Sequence, residues 1–230
     1  MRRMKVLQIA MGVVLATTFH AATSRADTIV SVGSRAGFAD LAVWPDLCTP
    51  GLGSISTVST HGIGVTATGE NGTVDSDQQA TPGCPNYDGW DGNFAPGDNL
   101  VWSDSGSHGP IDVTLSQGVN AIGAQIQADF FGAFVGRLTV YNGATMLGTV
   151  ALAGSSTATA DNSAIFLGLQ DLSGANITKA VFSLDSCALN CNDLSINEVS
   201  LNSVPEPASM VLLGTGLVGL ARRRMRARKQ

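Results

Sequence analysis

From residue 111 the chain keeps a two-residue period. Ile111, Val113 and Leu115 alternate with Asp112, Thr114 and Ser116; Ile122, Ala124, Ile126, Ala128 and Phe130 alternate with Gly123, Gln125, Gln127 and Asp129. Successive side chains of a strand point to opposite faces, so this pattern gives each segment one core face and one outer face. Arg137 to Tyr141, Asn142-Gly143 and Ala144 to Ala151 read as a hairpin, because Asn-Gly readily adopts positive φ at both central positions of a tight turn. Ile165 to Leu169, Ile177 to Leu184 and Leu194 to Leu201 follow as further strands, with a polar loop over 154–162 before them. Short strands at about ten-residue spacing predict an all-β fold, a two-sheet antiparallel β-sandwich of jelly-roll type.

Upstream the strands are sparser. Ile55 to Ser59 and Ile63 to Ala67 are β-like and are split by His61-Gly62. Residues 71–110 read as a loop-rich insertion, with aspartates scattered among Gly, Pro and Asn. Oxygen-rich loops with glycines for tight turns are what Ca²⁺ requires, which makes Asp88, Asp91 and Asp98 candidate ligands for a structural Ca²⁺. The EF-hand spacing is absent, and Asp and Asn also serve as ordinary turn residues. The insertion carries Trp90 and Trp102, candidates for stacking on sugar faces; the competing reading buries them under the loop.

The two ends differ from the middle. Arg2, Arg3 and Lys5 precede an apolar run from Val6 to Phe19, and Ser24-Arg25-Ala26 supplies small residues for a signal peptidase, so residues 1–26 are expected to be a signal peptide cleaved after Ala26. At the other end Pro205-Glu206-Pro207 breaks any regular structure, since each proline fixes φ and removes a donor. Met210 to Leu220 is an apolar helix candidate, too short for the roughly 20 residues that cross a bilayer straight. Five arginines and a lysine follow it, and by the positive-inside bias these stay cytoplasmic. This predicts transient membrane association through Met210–Leu220. Between the ends, residues 27–203 form the expected ectodomain. Three basic residues, Arg35, Arg137 and Lys179, face 17 acidic ones there, a net charge of −14. Such a surface excludes nucleic acid as a partner, which needs a positive footprint.

Cys48, Cys84, Cys187 and Cys191 are an even set inside the exported part. Four cysteines allow three pairings, and proximity favours Cys48–Cys84 with Cys187–Cys191. A four-cysteine zinc site is disfavoured because no C-x-x-C knuckle occurs.

In order, the Pro-Glu-Pro break, the apolar run and the arginine cluster of residues 204–230 resemble the PEP-CTERM sorting signal of bacterial surface and extracellular-matrix proteins. The resemblance implies an exosortase-like membrane transpeptidase as partner, with Pro205, Glu206 and Pro207 as the processing motif. It also implies export through the inner membrane of a Gram-negative bacterium and a final place at the cell surface or in an exopolysaccharide matrix. Within the middle, Ala121 to Ala124, Leu138 to Gly143, Ile165 to Gly168 and Ile196 to Val199 resemble the strand pattern of many PEP-CTERM ectodomains and of carbohydrate-binding jelly rolls. In such folds an acid on the last strand helps hold a structural Ca²⁺, a position that Glu198 matches.

Nothing in the sequence singles out a catalytic centre. No G-x-S-x-G elbow occurs, and no pair of carboxylates stands out for glycoside hydrolysis. The expectation is therefore a non-catalytic structural or carbohydrate-binding domain with polysaccharide as a partner. A glycan-active surface enzyme and a permanently anchored adhesin are the alternatives.

Overall fold

Asn142-Gly143 sits where the sequence places it, with Gly143 at φ 56° and its N–H donating to Thr178 Oγ1 at 2.8 Å. It joins the two longest strands of a computed structural model that describes residues 28–46, 51–70, 73–79, 90–103 and 109–203. Among the described residues there are strands and turns and no helix. The strands are β1 (Ile29–Val32), β2 (Asp40–Ala42), β3 (Ile55–Val58), β4 (Gly64–Gly69), β5 (Asp75–Gln78), β6 (Asn99–Trp102) and β7 (Ile111–Val119). They continue as β8 (Ala121–Ala128), β9 (Gly132–Asn142), β10 (Thr145–Ser156), β11 (Ile165–Asp171), β12 (Ile177–Ser186), β13 (Leu194–Ile196) and β14 (Val199–Asn202).

Two antiparallel sheets result. One has six strands in the order β10-β9-β12-β7-β4-β3. The other has eight, running β1-β11-β8-β13-β6-β5, with β14 beside β8 and β2 beside β14. The expected all-β, two-sheet architecture is the observed one. Ile122, Ala124 and Ile126 of β8, with Leu167 and Leu169 of β11, face Leu138, Val140, Ala180 and Phe182 of the other sheet in one buried cluster. The alternation read from the sequence thus becomes the sandwich core, where burial of apolar area drives folding.

The stretch expected to be an insertion also contains strands. β5 and β6 lie within residues 71–110 and extend the eight-stranded sheet. Asp75-Ser76-Asp77-Gln78 carries no apolar alternation, so periodicity could not show it; its register comes from pairing with β6.

The last strand is broken at one point. β13 pairs Leu194–Ile196 with Ala128–Ile126 of β8, and β14 pairs Ser200–Asn202 with Gly123–Ala121 of the same strand. Between them the sheet forks: β6 lies beyond β13 and β2 beyond β14. The signal-peptide segment 1–26, the sorting tail 204–230, Cys48 and Cys84 lie outside the described residues. Cys187 and Cys191 are disulfide-bonded, as proximity predicts.

Candidate functional site

At the fork, Asn197 replaces the missing ladder with its side chain. Gln125 N donates to Asn197 Oδ1 at 2.9 Å, and Asn197 Nδ2 donates to Gln125 Oε1 at 2.6 Å and to Asp98 Oδ2 at 3.1 Å. Its main-chain oxygen accepts from Trp44 Nε1 at 2.9 Å. Asn197 is fully buried, so each of its polar atoms needs a partner, and the fork supplies them.

Gln125 carries this order outward. Its Nε2 donates to Asn162 Oδ1 and to the Ala164 carbonyl, each at 3.0 Å. Asn162 holds φ 60°, a left-handed conformation that Asn tolerates better than most residues. With Oδ1 occupied, its exposed side chain offers the –NH₂ group to solvent. The relay Asp98–Asn197–Gln125–Asn162 therefore fixes a surface amide from inside the sheet.

Beside it lies a groove of about 340 Å³ on the outer face of the eight-stranded sheet, lined by Gly33, Ser34, Arg35, Gln125, Asn162, Ala164 and Phe166. The Phe166 ring covers two cross-strand partners, Gly123 and Gly168. A Cβ at Gly123 would stand 2.6 Å from Phe166 Cζ, and one at Gly168 2.9 Å from Phe166 Cε1. Only glycine leaves room for the ring to lie flat against the strands. Phe38 meets it edge-on with centroids 5.7 Å apart. Arg35, between β1 and β2, ion-pairs through Nη1 with Glu198 at the fork.

The edge of the groove is held by Asn93. Its Nδ2 donates to Thr157 Oγ1 (2.8 Å) and Ser163 Oγ (3.0 Å), while Oδ1 accepts from Thr157 N at 2.8 Å. Ala164 N donates to the Asn93 carbonyl at 3.0 Å. One buried amide thus clamps the loop 157–164 on which Asn162 sits. Within this loop the Ser163 hydroxyl donates to Asp161 and, with the Asn93 amide, holds that carboxyl below its usual range.

The residues proposed from sequence sit elsewhere or in other roles. Trp90 is 4% exposed and packs with Phe94, Leu100 and Trp102 in a second apolar cluster over the outer face of the same sheet. Its ring is buried, so the expectation that it stacks on a sugar is replaced by the covering role. Trp102 is half-buried, meets Trp90 edge-on at 5.8 Å and donates Nε1 to Asp193 Oδ1 at 2.6 Å. Of the Ca²⁺ candidates, Asp98 accepts from Asn197, Glu198 faces the Arg35 guanidinium, Asp91 is exposed and Asp88 lies outside the described residues. Among the described residues no three His, Cys, Asp or Glu side chains converge on one point.

Arg35, Gln125, Asn162 and Phe166 were not singled out by sequence. The available signals were that Arg35 is one of only three basic residues in the ectodomain, and that Phe166 takes the outward position next to Gly168.

A family model for the PEP-CTERM protein-sorting motif matches residues 203–226. No curated protein matches the chain. The motif supports export and processing by exosortase, a membrane protein. No helix of the described residues is long and apolar enough to cross a membrane, and Met210–Leu220 lies outside them.

Proposed function

We propose that this chain, which carries a PEP-CTERM sorting motif, is a surface or matrix protein whose β-sandwich binds carbohydrate without catalysis. The observation that carries the reading is the groove: a flat aromatic ring lies at its floor beside an amide fixed by a buried relay and a guanidinium tied at one end. A sugar presents an apolar face bordered by hydroxyls. An aromatic surface complements the first and preordered donors the second, at little cost in side-chain entropy. Sites of this kind are concave with a few placed polar groups. Support against hydrolysis is that the lining contains no carboxylate among the described residues, whereas glycoside cleavage uses two.

A polysaccharide-rich surface layer would be the place where such a groove is useful, and the tail would deliver the domain there. A structural Ca²⁺ stays part of the proposal through Asp88, Asp91, Asp98 and Glu198, of which Asp98 is bonded to Asn197 and Glu198 to Arg35. The test is a glycan array on the processed chain with and without EDTA, the products being checked for cleavage. Retention of intact glycans supports the reading; hydrolysis products would replace it with the enzyme, and an array with no retained glycan would end it. For delivery, Glu206→Ala should leave the tail on the exported protein in the native host, read as mature mass. An intact tail in the wild-type mature protein contradicts processing at this motif.

A further inference from the structure

Among the described residues the sheets end in β10 and β3 on one layer and in β1, β5 and β2 on the other. Unpaired N–H and C=O groups along such an edge are a template for another strand, and native sheets guard them with short, charged or bulged edges. β1, β3 and β5 have four residues each and β2 has three; β5 carries Asp75 and Asp77, and β2 begins at Asp40. β10 is different. It has 12 residues, Thr145–Ser156, with no charged side chain and no proline. Its register with β9 shifts once, between Met146 and Gly148 near the hairpin turn, and then runs unbroken from Gly148 to Ser156.

The unbroken part reads almost the same in both directions: Gly148-Thr149-Val150-Ala151-Leu152-Ala153-Gly154. Antiparallel pairing sets a strand against the reverse of its neighbour, so a stretch symmetric about Ala151 fits a second copy of itself across a two-fold axis. Gly148 then lies opposite Gly154 of the second copy, Thr149 opposite Ala153, Val150 opposite Leu152 and Ala151 opposite Ala151. Residues opposite one another share a face of the sheet. Val150 and Leu152 belong to the core face: their β9 partners are Leu138 and Gly136, and a Cβ at Gly136 would stand 3.0 Å from Ile126. Val150 is half-buried, yet Leu152 is 40% exposed although it faces inward. β10 is the rim of the sandwich, so the missing cover lies beyond the edge, where Val150 of a second copy would supply it.

The acidic surface does not oppose this approach. Thr149, Ala151 and Ala153 on the outer face are small and uncharged. The nearest charge in the ladder is Arg137, opposite Ala151 on β9, and it is paired with Asp185. Two such ion pairs would stand about 14 Å apart across the axis, three strand spacings, against a Debye length of about 8 Å.

We infer that β10 is a self-association edge: two copies of the chain pair their β10 strands antiparallel about Ala151, joining their six-stranded sheets into one. The axis stands perpendicular to the joined sheet, so both eight-stranded sheets lie on one side of it and both grooves face the same way. A pair would thus present two sites to one glycan surface, a consequence that rests on the carbohydrate reading, while the pairing itself does not.

The exported chain, as the host processes it, is sedimented from micromolar to millimolar concentration. A reversible monomer–dimer equilibrium is expected, with amides of 148–154 exchanging more slowly at the high end. Ala151→Glu and Ala151→Lys each set like charges face to face across the axis, and each should give monomers that melt as the dilute wild type does. An equimolar mixture of the two should restore the dimer. Ala151→Cys should link two chains under oxidation, since opposite Cβ atoms stand about 5 Å apart. Ala153→Cys alone should stay at the wild-type background, its two copies lying about 14 Å apart along the strands, and should link when mixed with Thr149→Cys. The cysteine variants decide alone should a charge unfold the strand. A chain monomeric at millimolar concentration, a dimer that the charges leave intact, a mixture that stays monomeric, or self-linking at 153 rather than 151 overturns the inference. Protection of 148–154 that is equal at every dilution would show that the chain covers its own edge, and overturns it as well.

Discussion

Asn197 and Gln125, 72 residues apart in sequence, bond to each other through backbone and side chain: Gln125 N to Asn197 Oδ1 at 2.9 Å and Asn197 Nδ2 to Gln125 Oε1 at 2.6 Å. This closes the fork between β13 and β14 and holds the Gln125 amide in line with the groove. Asn197→Ala would leave the Gln125 N–H, the Gln125 side-chain Oε1 and Asp98 without these partners in a part-buried setting. The expected loss is about 3 kcal/mol of folding stability, read as a lower urea midpoint. An unchanged midpoint would show that water satisfies the fork.

The Asn93 clamp predicts a local effect. Asn93→Ala should speed hydrogen exchange through 157–164 and weaken ligand binding at the groove, because the loop carrying Asn162 loses its hold. Exchange in the β9–β12 pair should hardly change. Equal acceleration in both regions would mean that Asn93 supports the whole sandwich.

Asp40 predicts an acid-dependent loss. Burial pushes its carboxyl upward, but hydrogen bonds from Ser59, Thr60 and His61 outweigh it and hold the carboxyl below its usual value of 3.8. A group with a depressed folded value contributes stability above pH 3.8 and loses it as pH falls through the folded value. Asp40→Asn should therefore lower the melting temperature at pH 7 and flatten its fall below about pH 4. A variant with wild-type acid sensitivity contradicts this.

Asp77 behaves in the opposite sense. Burial raises its carboxyl, against the bond from Gln78 N, and the neighbouring charge of Asp46 raises it further. The folded state is then disfavoured by ionisation, so stability is gained as pH falls through the raised value. Asp77→Asn should raise the melting temperature at pH 7, with the gain vanishing in acid. A variant less stable than wild type at pH 7 would mean that the carboxylate makes a favourable contact.

What the sequence could reveal follows from the range of each interaction. Ile122, Ala124 and Ile126 are two residues apart, and Asn142-Gly143 is a local turn, so the core face of β8 and the β9–β10 hairpin were legible. β5 was not, because Asp-Ser-Asp-Gln owes its register to β6. The groove draws on Arg35, on Gln125 and on Asn162 with Phe166, which three separate segments bring together, and its relay spans the 99 residues from Asp98 to Asn197. No spacing rule encodes such a site. Trp90 and Trp102 attract attention in the sequence as large aromatics, yet their size is what draws them under cover.

The most direct test of the carbohydrate-binding groove is a calorimetric titration of the processed chain with the best-retained glycan of the array, comparing wild type, Asn162→Ala and Phe166→Ala, each first shown to melt cooperatively. Saturable binding is expected, weakened about tenfold, or about 1.4 kcal/mol, by each substitution. Binding that neither substitution changes would place the ligand elsewhere and contradict it.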